Sequence, residues 1–221
     1  MIKNIKKSIL PILFFIIALI DIYAVISQNK SLEMVFKPLI MISLSFIYVS
    51  SVKKVNYWLV FGLFFSFLGD VLLLNQEKYF VYGVACFLIT HVLYIRMITL
   101  QLSKEKSFTK MILSIVPFML CFLLVMYIVY DNLNDMLAPI AEYGLIISVF
   151  GAVTLLNYEQ KKSLGSLFLF LSAILLTFSD GFLILNIYNS YNIVLDFFVI
   201  LFYISSQYLV VQGMILNNKS I

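Results

Sequence analysis

The chain has 221 residues, of which 63% are hydrophobic and 12% charged, and its mean hydropathy is +1.05. A soluble domain carries about 25% charged residues, so this composition excludes an ordinary soluble protein and indicates an integral membrane protein. The formal net charge of +4 comes from basic residues divided among short clusters, which is not the continuous basic surface expected of a nucleic-acid-binding protein.

Eight apolar segments are long enough to span ~30 Å of hydrocarbon, which takes about 20 residues of helix. We predict that all eight are α-helices, because the alternating pattern of barrel strands is absent. In chain order the predicted spans are 8–27, 33–51, 57–74, 79–100, 107–130, 137–158, 165–186 and 191–216. Little of the chain remains for anything else, so residues 1–221 are predicted to form a single all-α membrane domain.

The basic residues predict the orientation of these spans. Nearly all of them fall in segments that eight alternating spans place on one side: Lys3, Lys6, Lys7, Lys53, Lys54, Arg96, Lys104, Lys106, Lys110, Lys161, Lys162 and Lys219. The opposite loops hold only Lys30 and Lys78. The positive-inside rule therefore places both termini in the cytoplasm.

Six ionisable side chains lie inside the predicted spans, where each costs roughly 2.5–3.5 kcal/mol or more on insertion scales. They are Asp21, Lys37, Asp70, Glu142, Asp180 and Asp196. The predicted topology puts all six in the outer half of the membrane, which favours one shared polar cavity. Glu142 and Asp196 also lie near helix N-termini, where a carboxylate complements the helix dipole, so an interfacial role is an equal alternative for these two.

Spans four and eight carry further polar side chains. His91, the single histidine, lies near the middle of span four, and Tyr94 follows on the same helical face. Span eight has a polar stripe at helical spacing, formed by Asn192, Asp196, Tyr203 and Gln207. Hydrogen bonds between helices are the common role of such residues in membranes, and substrate binding is the alternative.

Spans three and seven resemble each other. Each has a small hydroxyl residue before an aspartate, Asp70 or Asp180, and an asparagine at the outer end. This similarity suits a parallel duplication of four plus four spans, with halves 1–106 and 107–221. A pseudo-two-fold axis along the membrane normal would then bring the two aspartates face to face.

Two facing carboxyl groups suggest acid–base chemistry. In a dry cavity they share a proton more readily than they both ionise, so one can act as general acid and the other as base or charge stabiliser. Lys37 is the natural counter-ion, and the following Pro38 frees an upstream backbone carbonyl in that span.

At these residues the chain resembles the YhhN family of eight-span membrane proteins, which includes the lysoplasmalogenases. The similarity extends over nearly the whole chain. Its matching motifs are 36–39, 66–71, 83–94, 178–180 and 203–207. Each motif is short and apolar, so their order and spacing carry the resemblance.

The resemblance implies hydrolysis of the vinyl-ether bond of a lysoplasmalogen, giving a fatty aldehyde and a glycerophospho-ethanolamine or -choline. Cleavage through an oxocarbenium ion requires a carboxylic acid and a carboxylate, as in glycoside hydrolysis, and Asp70 and Asp180 fit those catalytic roles. The implied partner is a lysophospholipid or a related lipid, and no cofactor or metal is implied. The substrate-binding residues would be Lys37 at the phosphate, with His91, Tyr94, Ser66, Asp196, Tyr203 and Gln207.

Three other functions would use some of the same residues. A zinc hydrolase needs about three histidine ligands, and the chain has one histidine. A serine esterase with His91 as base and Ser66 or Ser179 as nucleophile lacks a GxSxG setting. The main alternative is a proton-coupled transporter of a small molecule or lipid, since intramembrane carboxylates, a lysine and a four-plus-four repeat also describe such carriers.

Overall fold

The computed structural model of the protein describes residues 2–103 and 108–219, and these residues form helices joined by short connections. The α-helices are α1 (Ile2–Ile26), α2 (Lys30–Ser51), α3 (Tyr57–Leu73), α4 (Gln76–Thr99), α5 (Phe108–Val129), α6 (Leu137–Lys161), α7 (Leu164–Tyr188) and α8 (Ile193–Lys219). No strand occurs in the described part of the chain, so the predicted all-α class is confirmed. Lys104 and Lys106, used in the charge argument, lie outside the described residues.

Side-chain caps fix the starts of several helices. Asn29 and Asn56 accept hydrogen bonds from backbone N–H groups in the first turns of α2 and α3. Ser163 and Ser166 form a capping box at the start of α7. These caps satisfy backbone donors that have no partner within the helix, which is why these three helices begin close to the predicted positions.

Seven of the helices are long and apolar enough to cross a membrane. Helix α3 has 17 residues, about 26 Å at 1.5 Å per residue, and is shorter than the others. The chain is therefore a helical membrane protein by length and composition. The count of eight spans stays a prediction.

Helices that follow each other pack as hairpins, α1 with α2, α3 with α4, α5 with α6 and α7 with α8. We call the end of the bundle that carries the turns of these hairpins the hairpin end. Contacts between loops at this end include a 2.8 Å hydrogen bond from Gln28 to the hydroxyl of Tyr191. At the opposite end, Asn217 donates to Gln101 and Asn218 donates to the backbone oxygen of Lys54.

The bundle is closed by helices that are distant in sequence. Helix α8 packs against α1 and α2, and α4 packs against α6. One large apolar core joins these contacts and includes Phe14, Leu44, Leu63, Phe150 and Val211. Successive helices alternate in direction, and the charges lie late in α1, α3 and α7 and early in α2, α6 and α8. All six intramembrane charges therefore fall in the half of the helices nearest the hairpin end.

Glycines let α3 approach α4 closely. A Cβ atom on Gly62 would lie 2.3 Å from Cε1 of Tyr94, and a Cβ atom on Gly69 would lie 2.9 Å from the ring of Phe87. The aromatic rings of α4 therefore occupy the space that side chains on α3 would fill. This contact holds Asp70, next to Gly69, at the inner face of α3.

Candidate active site

Two aspartates from different helices line one cavity towards the hairpin end of the bundle. The cavity has a volume of about 80 Å³, and its wall comes mainly from α3, α4, α7 and α8. Of the nine residues expected to be catalytic or substrate-binding, six line it: Lys37, Asp70, His91, Asp180, Tyr203 and Gln207. The cavity therefore has two carboxyl groups, an ammonium group and an imidazole in its wall.

Asp70 lies on the face of α3 that points into the bundle, with 3% of its surface exposed. Its Oδ2 atom and the Tyr203 hydroxyl make no hydrogen bond to the described residues. The two groups lie close enough to interact with each other, although outside the distance and angle limits of a hydrogen bond. Because buried polar atoms are nearly always hydrogen-bonded, this pair favours a polar ligand group between or beside its members.

Asp180 has a direct partner on α6. The Tyr143 hydroxyl donates a 2.7 Å hydrogen bond to Asp180 Oδ2, and both residues line the cavity. Tyr143 was not singled out in the sequence, where the neighbouring Glu142 was the evident polar residue. Successive residues on a helix point about 100° apart, and Glu142 is exposed on the outer surface of α6.

Lys37 lies among three carboxyl groups. It forms an ion pair with Glu33, one turn earlier on α2, and it interacts electrostatically with Asp21 and Asp70. Asp21 is fully buried in α1, and neither of its carboxyl oxygens has a hydrogen-bond partner among the described residues. Sequence reasoning missed the Glu33 pair, although its i, i+4 spacing to Lys37 was the available signal.

His91 presents a hydrogen-bond acceptor at the cavity. Its Nδ1 lies 2.6 Å from the backbone oxygen of Phe87 and must carry the proton, because that oxygen can only accept. The other nitrogen, Nε2, has no partner among the described residues. The ring is held edge-on by Tyr143 and Phe150. We infer that Nε2 is an acceptor with a fixed position.

Ser66 and Tyr94 lie behind the cavity and hold Gln207. The Tyr94 hydroxyl donates to Gln207 Oε1 at 2.9 Å, and Gln207 Nε2 donates to Ser66 Oγ at 3.4 Å. Ser66 in turn donates to Thr90, whose hydroxyl lies 3.2 Å from the backbone oxygen of Gly62. This chain of hydrogen bonds joins α3, α4 and α8 and orients the Gln207 amide at the cavity.

Asp196, like Asp21 and Glu142, lies outside the cavity wall, so the expectation that all six charges share one cavity is wrong for three of them. Its Oδ1 accepts a 2.6 Å hydrogen bond from Asn186 Nδ2, and Asn186 Oδ1 accepts from the backbone N–H of Asn192. These bonds close the turn between α7 and α8. The polar stripe of α8 is thus divided, since Asn192 and Asp196 stabilise the turn while Tyr203 and Gln207 line the cavity.

The two serines considered as nucleophiles use their hydroxyl protons in helix packing. Ser179 donates to the backbone oxygen of Val199 at 2.9 Å, and Ser66 donates to Thr90. Among the described residues, no group of three His, Cys, Asp or Glu side chains could hold a metal ion. The polar groups that do share a cavity are Asp70, Asp180 and their neighbours.

Together, the fold and the cavity define a helical membrane protein with a carboxylate-lined cavity inside its apolar core. The chain belongs to the YhhN family, whose family model matches residues 32–214. This match confirms the predicted resemblance, and it includes every residue that lines the cavity. No curated protein and no solved structure matches the chain.

Proposed function

We propose that this protein is a membrane-embedded hydrolase that cleaves the vinyl-ether bond of a lysoplasmalogen, with Asp70 and Asp180 as its acid and base. The observation that carries the proposal is that carboxyl groups from α3 and α7 line one small cavity. Membership of the YhhN family, which includes lysoplasmalogenases, supports this class of substrate.

The reaction needs one carboxylic acid and one carboxylate. The acid transfers its proton to the β-carbon of the vinyl ether, which leaves an oxocarbenium ion at the carbon bound to oxygen. The carboxylate stabilises this cation and accepts a proton from the attacking water. The hemiacetal that forms then breaks down to a fatty aldehyde and the glycerophospho alcohol, so water is the only other reactant.

The neighbouring side chains have matching roles in this scheme. The Tyr143 hydroxyl orients the Asp180 carboxyl. Nε2 of His91 accepts a hydrogen bond from the attacking water, and the Lys37 ammonium contacts the phosphate of the substrate. Gln207 and Tyr203 offer polar groups to the glycerol part of the headgroup.

The arrangement in the membrane is part of the proposal. Eight spans with both termini in the cytoplasm place the cavity in the outer half of a bacterial cytoplasmic membrane. The support is the asymmetry of charge between Lys53, Lys54, Lys161 and Lys162 at one end and the acidic cavity near the other. A duplication of four plus four helices is also part of the proposal: the contacts of α2 with α8 and of α4 with α6 exchange under that symmetry, whereas those of α1 with α8 and of α5 with α7 do not have equally extensive counterparts.

Aldehyde release by the purified protein tests the reaction. We expect release from a lysoplasmalogen, and we expect Asp70→Asn and Asp180→Asn each to lower the rate at least about 100-fold, the low end of general acid–base contributions. Mass spectrometry of the products identifies the bond that is broken.

The matched control is Glu142→Gln, which makes the same chemical change at an exposed position of α6 and should leave the rate unchanged. Wild-type rates in both aspartate variants would contradict the carboxylate mechanism. Lipid-dependent proton uptake into proteoliposomes, with no product formed, would instead favour the transporter.

A further inference from the structure

A second cavity opens on the outside of the bundle between α5 and α7, with α6 as its floor. It has a volume of about 160 Å³, and its walls are mostly hydrocarbon and aromatic side chains, including Leu124, Val125, Ile147, Phe178 and Phe182. Several wall residues are exposed on the outer surface, among them Leu124 at 62% and Phe178 at 46%. We call this cavity the α5–α7 groove.

The α5–α7 groove and the polar cavity share two residues. Asp180 and Tyr143 line both of them. The apolar groove therefore leads to the carboxyl group to which the proposed function assigns an acid or base role. A molecule with a polar head in the cavity and a chain in the groove would pass directly by Asp180.

The groove is open where a side chain could have filled it. A Cβ atom on Gly181 would meet one atom within 4 Å, Cγ2 of Val125 at 3.4 Å. By contrast, the space beside Gly144 is already filled by the ring of Phe122, 2.1 Å from a Cβ atom built there. Along α5 the groove extends from Cys121 to Ile128, about 10 Å at 1.5 Å per residue.

We infer that the α5–α7 groove holds the single hydrocarbon chain of the lipid substrate, with the bond to be cleaved at Asp180. This inference rests on the proposed lipid hydrolysis and adds where the chain of the substrate lies. A larger cavity between α2 and α3, of about 360 Å³, is also apolar, but it shares no lining residue with the polar cavity. Contact with Asp180 therefore decides between the two.

The groove orients the hydrocarbon chain of the substrate but adds little to its binding affinity. Lipid tails are as apolar as the side chains of the groove, so moving a chain from the bilayer into it gains little hydrophobic free energy. Its effect is to bring the first carbons of the chain to the carboxyl groups in one direction. Entry between α5 and α7 also lets the chain remain in the apolar layer throughout.

Photo-crosslinking tests the position of the chain without requiring turnover. The probe is a lysophospholipid with one saturated alkyl-ether chain and a diazirine near the middle of that chain, incubated with the full-length purified protein. We expect adducts on groove residues such as Val125, Phe178 and Phe182, and we expect excess lysoplasmalogen to lower their yield. Gly181→Leu should fill the groove and lower the yield at least fivefold.

The control variant is Leu120→Phe, which adds bulk to α5 at a position that is 61% exposed and outside the groove. It should leave the adducts unchanged. Adducts on the α2–α3 cavity, or spread evenly over all exposed helix surfaces, would overturn the inference. Groove adducts without aldehyde release would contradict the proposed reaction but support the groove as a lipid site. Aldehyde release without groove adducts would support the reaction and contradict the position of the chain in the groove.

Discussion

Tyr143 lies between the polar cavity and the α5–α7 groove, because its side chain, like that of Asp180, lines both. Its hydroxyl donates a hydrogen bond to Asp180. A carboxyl group inside an apolar segment is conspicuous in a sequence, which is why Asp70 and Asp180 could be predicted as site residues. Tyr143 could not, since it is one of 14 tyrosines and the charged residue that stands out beside it, Glu142, is exposed on the other face of α6. Asp21 was visible as a charge, but its place beside Lys37 depends on how α1 packs.

Removing the Tyr143 hydroxyl should slow the reaction and leave the fold intact. A hydrogen bond to a charged group contributes about 1.5–3 kcal/mol, so we expect Tyr143→Phe to lower kcat roughly 10- to 100-fold. The measurement is the steady-state rate of aldehyde release, with the unfolding temperature in detergent as a check on structure. Tyr127→Phe removes the same hydroxyl from a side chain that is 85% exposed and should change neither quantity. A Tyr143→Phe variant with wild-type kcat would remove the hydroxyl from the mechanism.

At the scale of elements, the apolar segments could be predicted closely, because a helix that crosses a bilayer must be long and apolar. The first helix begins at Ile2, earlier than the predicted span 8–27, and includes the lysine-containing segment before the apolar residues. The polar stripe of α8 could be placed on one face by its spacing. Its division between a turn and a cavity could not, since that depends on Asn186 of α7.

The packing of α3 on α4 predicts the effect of a small substitution. Gly62→Ala places a methyl group 2.3 Å from the ring of Tyr94, which is fully buried and bonded to Gln207. We expect this variant to lose about 1–3 kcal/mol of stability, the usual cost of overpacking. The measurement is the unfolding temperature in detergent, which should be lower than that of the wild type.

Gly181→Ala is the matched comparison for stability. The added methyl group meets only Val125 within 4 Å, at a contact distance of 3.4 Å. Alanine is favoured over glycine in helices by up to about 1 kcal/mol, so this variant should be as stable as the wild type or slightly more stable. Equal unfolding temperatures for the two alanine variants would show that the α3–α4 contact tolerates the extra atom.

At the scale of the whole molecule, the hairpins follow from short connections between successive helices. The contacts of α8 with α1 and of α4 with α6 could not be predicted. In a chain that is 63% hydrophobic, most helix faces are apolar and give no preference for one neighbour over another. The placement of Asp70 and Asp180 at one cavity depends on those contacts. From the sequence, only the clustering of charges in one half of the spans, the similarity of spans three and seven and the family resemblance indicated it.

Cysteine labelling tests the orientation in the membrane. In a background with Cys86→Ala and Cys121→Ala, single cysteines replace Ser190 at the hairpin end and Ser103 at the other end, both of which are exposed. A membrane-impermeant maleimide should label Ser190→Cys in intact cells and Ser103→Cys only after the cells are broken. The reverse pattern would place the termini outside.

Helix α1 precedes the part of the chain that matches the family model, yet its buried Asp21 faces Lys37. A chain starting at Lys30 would contain every residue of the polar cavity wall, but it would lose Asp21 and the packing of α1 on α2 and α8. Measurements on such a shortened protein would therefore describe a smaller core and a Lys37 with one fewer acidic neighbour.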